Sequence, residues 1–440
     1  MRGGVSVVSS KFQPPGIVTR LRQALSRFRR QRDGGVAIIF AFSALPLMGA
    51  AGSAIDYSFA SRSKAHIDAA ADIAALTGVK ISGTVPLATV ARADALNSFT
   101  ANYGTMPRVA LNNVDITVTD NGLLRTAVVT YTASVQTSFM GLFGFNSMQI
   151  GGTARATSSL PTYIDFYLLL DNSPSMGIGA TPADVATMVA NTPDQCGFAC
   201  HDLSNPTGNY YKLAKKLKVT MRIDVVRQAT QTLMDTARAE LVTTGQFRSA
   251  IYTYGASCTV TGLTQVVGLT TNLANAKAQA HSIDLMTIPY QNYNNDQCTD
   301  NTGALTSINK LITTPGDGAT AAAPQKILML VADGVTDAYY PSTCTRPTTG
   351  GRCQEPLNPA ICETIKARGV RIAVLYTTYL PLPTNAWYMS WIAPFQSTIG
   401  SRMQSCASPG LYFEVSPTEG IADAMTALFR KAIASSRLTQ

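Results

Sequence analysis

The sequence predicts an α/β domain with a mostly parallel sheet covered by helices on both faces, preceded by a transmembrane helix and a small α+β region. Three observations predict it. From Thr162 onward, short apolar runs alternate with amphipathic segments, the pattern of a parallel sheet buried between helices. Residues 34–55 form an apolar run without a single charge, and the stretch between these two parts alternates apolar and polar residues at the period of half-buried strands.

The first element is set by charge. The chain has 440 residues, 46% of them hydrophobic, enough for two or three compact units and too apolar for a disordered or collagen-like chain. A net charge of +9 points to nucleic acid until the charges are located. Residues 1–33 hold eight basic side chains (Arg2, Lys11, Arg20, Arg22, Arg27, Arg29, Arg30, Arg32) against Asp33, so the rest is nearly neutral. The run GGVAIIFAFSALPLMGAAGSAI follows at once, long enough for a helix to cross a hydrocarbon layer of roughly 30 Å. Its neighbour therefore makes the basic segment a membrane flank, not an arm for nucleic acid.

The positive-inside rule puts the N-terminus in the cytoplasm and everything from Asp56 onward outside. Pro46 is tolerated in such a helix. A cleaved signal peptide competes, with Gly52, Ser53 and Ala54 as small residues near a cleavage point, but the run exceeds the usual h-region of roughly 7–15 residues, so an uncleaved signal anchor fits better. Prepilin processing is disfavoured, because five residues on from Gly34 or Gly35 stands Ile39 or Phe40 where such pilins carry Glu. The predicted division is a basic cytoplasmic segment 1–33, an anchor 34–57, a helix extension and small α+β region 58–158, and the α/β domain 160–440.

All eight cysteines lie beyond the membrane run, an even number in a compartment that permits disulfides. They are Cys196, Cys200, Cys258, Cys298, Cys344, Cys353, Cys362 and Cys406. Eight cysteines allow about a hundred connectivities, so spacing alone fixes none. Cys196/Cys200 and Cys344/Cys353 would staple short loops, which leaves Cys258/Cys298 and Cys362/Cys406 as longer closures. A zinc site at Cys196-Gly-Phe-Ala-Cys200-His201 lacks a second ligand pair at recognisable spacing.

The alanine-rich stretch 56–76 continues the membrane helix outward, its small residues suiting either close approach of a partner helix or plain helix formation. A short helix and three strands follow. Val114, Ile116 and Val118 share one face, Asn121-Gly122 supplies a hairpin turn, 124–135 is rich in β-formers, and a third strand falls near 150–156. In the α/β domain, strands are predicted at 164–170, 249–254, 327–332, 372–376 and 411–415, with core-facing helices at 223–241 and 421–433. Interruptions at about 177–221, 337–357 and 379–410 are too long for simple connections, and six of the cysteines lie in or beside them. The Tyr210-to-Lys216 run is a solvated basic helix face or a contact surface.

The chemistry gathers where the first of these strands ends. Tyr163-Ile164-Asp165-Phe166-Tyr167-Leu168-Leu169-Leu170 runs into Asp171-Asn172-Ser173-Pro174-Ser175-Met176, and in an open α/β sheet ligands bind outside the carboxyl ends of strands. Asp171, Ser173 and Ser175, at alternate positions of a tight loop, aim one carboxylate and two hydroxyls at one point, which suits Mg²⁺ or another hard cation, Mn²⁺ or Ca²⁺. The competing reading is an Asx-turn that caps a helix.

This D-x-S-x-S pattern is that of the metal-ion-dependent adhesion site, and residues 160–440 resemble a von Willebrand factor A domain, a Rossmann-like fold. The resemblance implies a Thr from a second loop and an Asp from a third. Thr299, in Cys298-Thr299-Asp300-Asn301-Thr302-Gly303-Ala304-Leu305, matches the first, with Thr302 as competitor, and Asp333, in Ala332-Asp333-Gly334, matches the second. It also implies that an acidic residue of a protein partner completes the coordination shell. The departure from the pattern is the insert after Ser175, expected to shade or cover the site.

Enzymatic alternatives fit poorly. A serine hydrolase needs a His beside its nucleophile, yet the chain has only His66, His201 and His281 and no G-x-S-x-G elbow. An aspartyl phosphotransferase wants a second carboxylate where Ser173 stands, and the motif holds no general base for metal-activated water. The expectation is a binding protein, not an enzyme.

The two ends sharpen the resemblance. Gly35-Val36-Ala37-Ile38-Ile39-Phe40-Ala41-Phe42, Ile55-Asp56 and Asp68-Ala69-Ala70-Ala71-Asp72-Ile73-Ala74-Ala75-Leu76 resemble the N-terminal segment of TadG-like proteins of bacterial Flp (Tad) pilus assembly, which join such an anchor to a C-terminal A domain. Cys362-to-Val370, Cys406-Ala407-Ser408 and the terminal helix are similar too, leaving the first 30 residues and the inserts uncovered. The resemblance implies a component of the tight-adherence machine in the bacterial inner membrane, its A domain in the periplasm and its partners other assembly components. A surface adhesin binding host ligands and a periplasmic A-domain protein unrelated to pili are the alternatives.

Overall fold

The computed structural model describes residues 34–436 except 82, 291–292, 294–297, 340–341, 380, 384 and 417–419, together with Arg22 and Ser26. Apart from those two residues, the basic segment 1–33 lies outside the described part. The chain forms two compact units, one made of the chain up to Gly78 with Arg92–Thr117 and Ala127–Ala156, the other of Val79–Ala91, Val118–Thr126 and Thr157–Gln440.

Helix α1 (Gly34–Val79) is 46 residues long and runs through Pro46, so the anchor and its extension are one helix with no break at 57. At 1.5 Å per residue it is about 69 Å long, more than twice a hydrocarbon layer. It is long and apolar enough to cross a membrane. Its early turns expose Val36, Phe40, Phe42 and Leu47, whereas later turns bury Ile67, Ala70, Ala71, Ala74 and Ala75. The alanines face this chain's own α2 (Ala88–Tyr103) and a three-stranded sheet of β1 (Val109–Asn121), β2 (Leu124–Gln136) and β3 (Ser147–Ser159), with Phe99, Ile116, Val129 and Tyr131 in the shared core. The small side chains serve this internal packing. Gly122, at φ 57°, makes the turn predicted between β1 and β2.

The second unit continues through β4 (Ile164–Leu170), α3 (Pro182–Asn191), α4 (Tyr210–Lys216), α5 (Arg222–Ala239), β5 (Phe247–Ser257), β6 (Val260–Thr270), α6 (Leu273–Gln279), α7 (Asn301–Leu311) and β7 (Gln325–Ala332). It ends with β8 (Val335–Tyr339), β9 (Arg352–Pro356), α8 (Ala360–Ala367), β10 (Arg371–Thr377), α9 (Ala386–Trp391), α10 (Gln396–Cys406), β11 (Tyr412–Val415) and α11 (Ile421–Ser436). Six strands form a mixed sheet in the order β11-β10-β7-β4-β5-β6, all neighbours parallel except the β5/β6 pair. Alternation along β4 divides the core between the faces: Phe166, Leu168 and Leu170 pack with α5 and α11, whereas Tyr167 and Leu169 pack with α7, α8 and α10.

Three strands have no counterpart in the sequence-based expectations. β6 is an edge strand, mostly half-exposed and carrying Gly262 and Gly268, so it shows no buried run. The antiparallel β8/β9 hairpin begins at Val335 and occupies most of the 337–357 interruption. Disulfides join Cys258 to Cys298, Cys344 to Cys353 and Cys362 to Cys406, three of the pairs expected. The fourth, Cys196/Cys200, is not among the disulfides of the described residues; Cys196 Sγ instead accepts the Phe198 N–H at 3.4 Å.

Candidate metal centre

β4 and β7 lie side by side in register, Leu170 opposite Val331, and both end in tight turns. From β4 the chain moves one way through β5 and β6; from β7 it moves the other way through β10 and β11. The strand order therefore reverses between them, which opens a crevice at their carboxyl ends. Asp171 and Asp333, the residues after Leu170 and Ala332, are carried there.

Both carboxylates are fully buried. Asp171 Oδ1 accepts the Ser173 N–H at 2.9 Å and Asp333 Oδ1 accepts the Val335 N–H at 3.1 Å. The Oδ2 atom of each has no hydrogen-bond donor among the described residues. Ser173 Oγ and Ser175 Oγ stand 3.1 Å apart at the start of a single 3₁₀ turn, Pro174–Gly177. Burial first, and the charge of Asp333 second, push the Asp171 carboxyl up to about 7. Burial raises Asp333 as well, against the opposing effects of Arg222 and the Ser175 hydroxyl.

Arg222, at the start of α5, is the basic group that faces this pair among the described residues. Its Nη1 lies 3.7 Å from Asp333 Oδ2, and its Nη2 donates to the Thr378 carbonyl at 2.8 Å. The guanidinium also sits 5.6 Å from the centre of the Tyr379 ring. One cation against two buried carboxylates leaves a deficit of positive charge, and two buried oxygens lack donors. A hard divalent cation supplies what both observations lack, so the residues present fit a metal.

Asn172 fixes the geometry between the predicted ligands. Its Nδ2 donates to the Gly255 carbonyl at 2.8 Å and its Oδ1 accepts the Tyr254 N–H at 3.1 Å, locking the turn to the end of β5. Asn301 does the same for the second loop, accepting from the Tyr254 hydroxyl at 2.6 Å and donating to the Val335 carbonyl at 3.0 Å. Thr299 exchanges two backbone hydrogen bonds with Asp337 of β8, each 2.9 Å, and follows directly on the Cys258–Cys298 disulfide.

Thr299 and Ser175 line one cavity of about 330 Å³. Thr302, the competitor, sits in the first turn of α7 and is not on this wall. All three long interruptions contribute to the cavity: Phe198 from the first, Asp337 and Arg352 from the second, Trp387 and Tyr388 from the third. The insert after Ser175 thus walls the site on one side. Arg352 pairs bidentately with Asp337, whose carboxylate also accepts from Gln354 at 3.0 Å, and lies 4.6 Å from the centre of the Trp387 ring.

Sequence reasoning missed Arg222, Asn172, Asn301 and the Asp337–Arg352 pair. Asn172 and Asn301 stand inside the quoted motifs, so their position was a usable signal. Arg222 opens an amphipathic helix, where a basic residue ordinarily faces water, and nothing in the pattern marks it as buried.

Residues 34–91 match the family model described as putative Flp pilus-assembly TadE/G-like, where the sequence resemblance to a Tad anchor was read. A comparison with curated protein sequences finds no match. Among solved structures, the chain is similar to the vWF domain of the type V pili tip protein Mfa5 from Porphyromonas gingivalis, at 11% identity over 62% of this chain and 97% of that one, with a TM-score of 0.36. It is also similar to the PilB minor pilin from Streptococcus sanguinis, at 9% identity over 76% and 80%, TM-score 0.35. A third is proximal thread matrix protein 1 from the mussel byssus with a zinc-occupied MIDAS motif, at 13% identity over 63% and 46%, TM-score 0.32. Scores this low carry no argument about fold or function, which rest here on strand order and on the site.

Proposed function

We propose, from the TadE/G-like match of residues 34–91 and the chemistry at the ends of β4 and β7, that this chain is a membrane-anchored component of Flp pilus assembly that grips a protein partner through a divalent cation. The second unit is then a von Willebrand A-type domain, with Asp171, Ser173, Ser175, Thr299 and Asp333 holding Mg²⁺ or Mn²⁺. One observation carries the reading: two buried carboxylates, each with an oxygen lacking a donor, face one guanidinium. The two carboxylates balance the divalent ion, the hydroxyls add no charge, and Arg222 leaves the site net positive, which attracts an acidic side chain from a partner. The cavity of about 330 Å³ in front of Ser175 and Thr299 gives that side chain a place to enter.

The role is binding and not catalysis. The oxygen donors orient an ion and a ligand. The basic flank supports an N-terminus in the cytoplasm, and in a pilus-assembly protein of the inner membrane the A-type domain then stands in the periplasm. A pull-down with wild type and Asp171→Ala, each with Mg²⁺ and with chelator, tests the reading. Pilus-assembly components retained only by wild type with Mg²⁺ support it, whereas identical partners in all four samples sink it. Degradation of the domain by protease added to intact cells would contradict the periplasmic assignment.

A further inference from the structure

Between β2 and β3 the chain makes a loop, Thr137-Ser138-Phe139-Met140-Gly141-Leu142-Phe143-Gly144-Phe145-Asn146, without a charged residue. It exposes Phe139, Leu142, Phe143 and Phe145 at 42%, 81%, 57% and 62%. Four large apolar side chains projecting from one convex loop are costly in water, and such patches mark a contact with an apolar phase.

The position of the loop says which phase. It lies against α1 inside the apolar run, at the two glycines nearest its outer end. A Cβ built on Gly52 would come within 2.5 Å of Phe139 Cβ, so only glycine admits the approach there, and one on Gly49 would come within 2.9 Å of Phe143 Cζ, the outer end of a ring packed on the helix. Gly52 and Gly49 precede Asp56 by four and seven residues, about 6 and 10 Å along a helix rising 1.5 Å per residue. Amphipathic elements that lie in a bilayer interface bury their apolar side to a similar depth.

Most of the loop's amides are satisfied internally, as a bilayer requires of irregular backbone. Asp56, 2% exposed, accepts the N–H groups of Ser138, Phe139 and Met140 at 2.9, 2.8 and 2.8 Å. The amides of Leu142, Gly144 and Phe145 donate to the carbonyls of Phe139, Gly141 and Met140, each at 3.1 Å. Arg108 stands beside the Asp56 carboxylate at 3.4 Å and over Phe59 at 4.6 Å, a basic side chain at the level where headgroups begin.

We propose that residues 138–145 are a second membrane-contacting element, inserted beside α1 into the leaflet on the Asp56 side, with lipid acyl chains and the glycerol region as its occupant. The proposal rests on α1 being the membrane span. In this arrangement the loop fixes the height and rotation of the first unit at the bilayer surface, and Asp56 is the carboxylate that closes the loop.

The test uses the full chain in nanodiscs containing phospholipid brominated in the upper acyl chain. Replacing both native tryptophans, Trp387→Phe and Trp391→Phe, gives a background without tryptophan. Into it go Leu142→Trp, Phe145→Trp as the second loop probe, and Phe40→Trp as the probe of the span. Blue-shifted emission from Leu142→Trp and Phe145→Trp, with most of it lost in brominated lipid as for Phe40→Trp, is the expected result. Quenching of Phe40→Trp with unquenched, red-shifted emission from both loop probes overturns the insertion, leaves the span intact and makes a protein surface the occupant. No quenching at any of the three overturns the span itself and the proposal with it.

Discussion

Replacing Asp171 with asparagine should stabilise the protein when metal is chelated and remove its response to metal. The Asp171 carboxyl is pushed from 3.8 in the unperturbed group to about 7 in the fold. A folded-state value above the unfolded one means that the native state holds its proton longer, so this group's contribution to stability is complete below about pH 4 and is lost as pH rises through 7. At roughly 1.4 kcal/mol per pH unit, the loss approaches about 4 kcal/mol near pH 8, and relaxation around the paired carboxylates brings the expected figure to about 2–4 kcal/mol. The side-chain amide introduced by Asp171→Asn carries no charge, and its oxygen can keep the bond from the Ser173 N–H. For a unit of this size the gain corresponds to a rise in Tm of roughly 3–6 °C. Thermal unfolding of full-length protein followed by near-UV circular dichroism, in chelator, should show that rise at pH 8 and no difference at pH 4. With Mg²⁺ the wild type should gain stability and the variant should not. A variant that melts below wild type at pH 8 in chelator would refute the reasoning that burial, with the Asp333 charge beside it, destabilises the ionised Asp171 carboxylate.

Arg222→Met should lower stability in chelator, because Asp333 loses its ion pair, yet tighten Mn²⁺ binding by removing a competing charge; calorimetric titration checks both signs. At the opposite end of β4, Asp165 accepts from Lys326 at 2.6 Å and from Arg248 at 2.6 Å, and Lys326 is buried, so Asp165→Ala should cost about 3–5 kcal/mol in urea unfolding without changing metal affinity. Cys298→Ser opens a closure of 40 residues next to Thr299; the chain-entropy estimate is a loss of about 4 kcal/mol, and metal affinity should fall with it, unlike in Cys344→Ser.

The parts of the fold that were legible in sequence are those where burial repeats. β4 was readable to the residue because all seven positions are buried, and α5 and α11 because their apolar stripes keep helical spacing. β6 was not, because an edge strand half in water carries no such pattern. At the site, Asp171, Ser173 and Ser175 were visible as a spacing and Asp333 as a strand end. Arg222 was invisible because its neighbourhood is made by Thr378 and Tyr379, more than 150 residues away in the chain. The Asp56 contacts with residues 138–140 are also non-local, so that carboxylate could be read only as the end of an apolar run.

The most direct test of the central claim is a Mn²⁺ titration of the full-length protein by electron paramagnetic resonance. One bound ion per chain in wild type, displaced by Mg²⁺ and absent from both Asp171→Ala and Asp333→Ala, is the predicted result. Wild type without bound Mn²⁺, or binding unchanged in both variants while their folds remain intact, would contradict a metal centre at the ends of β4 and β7.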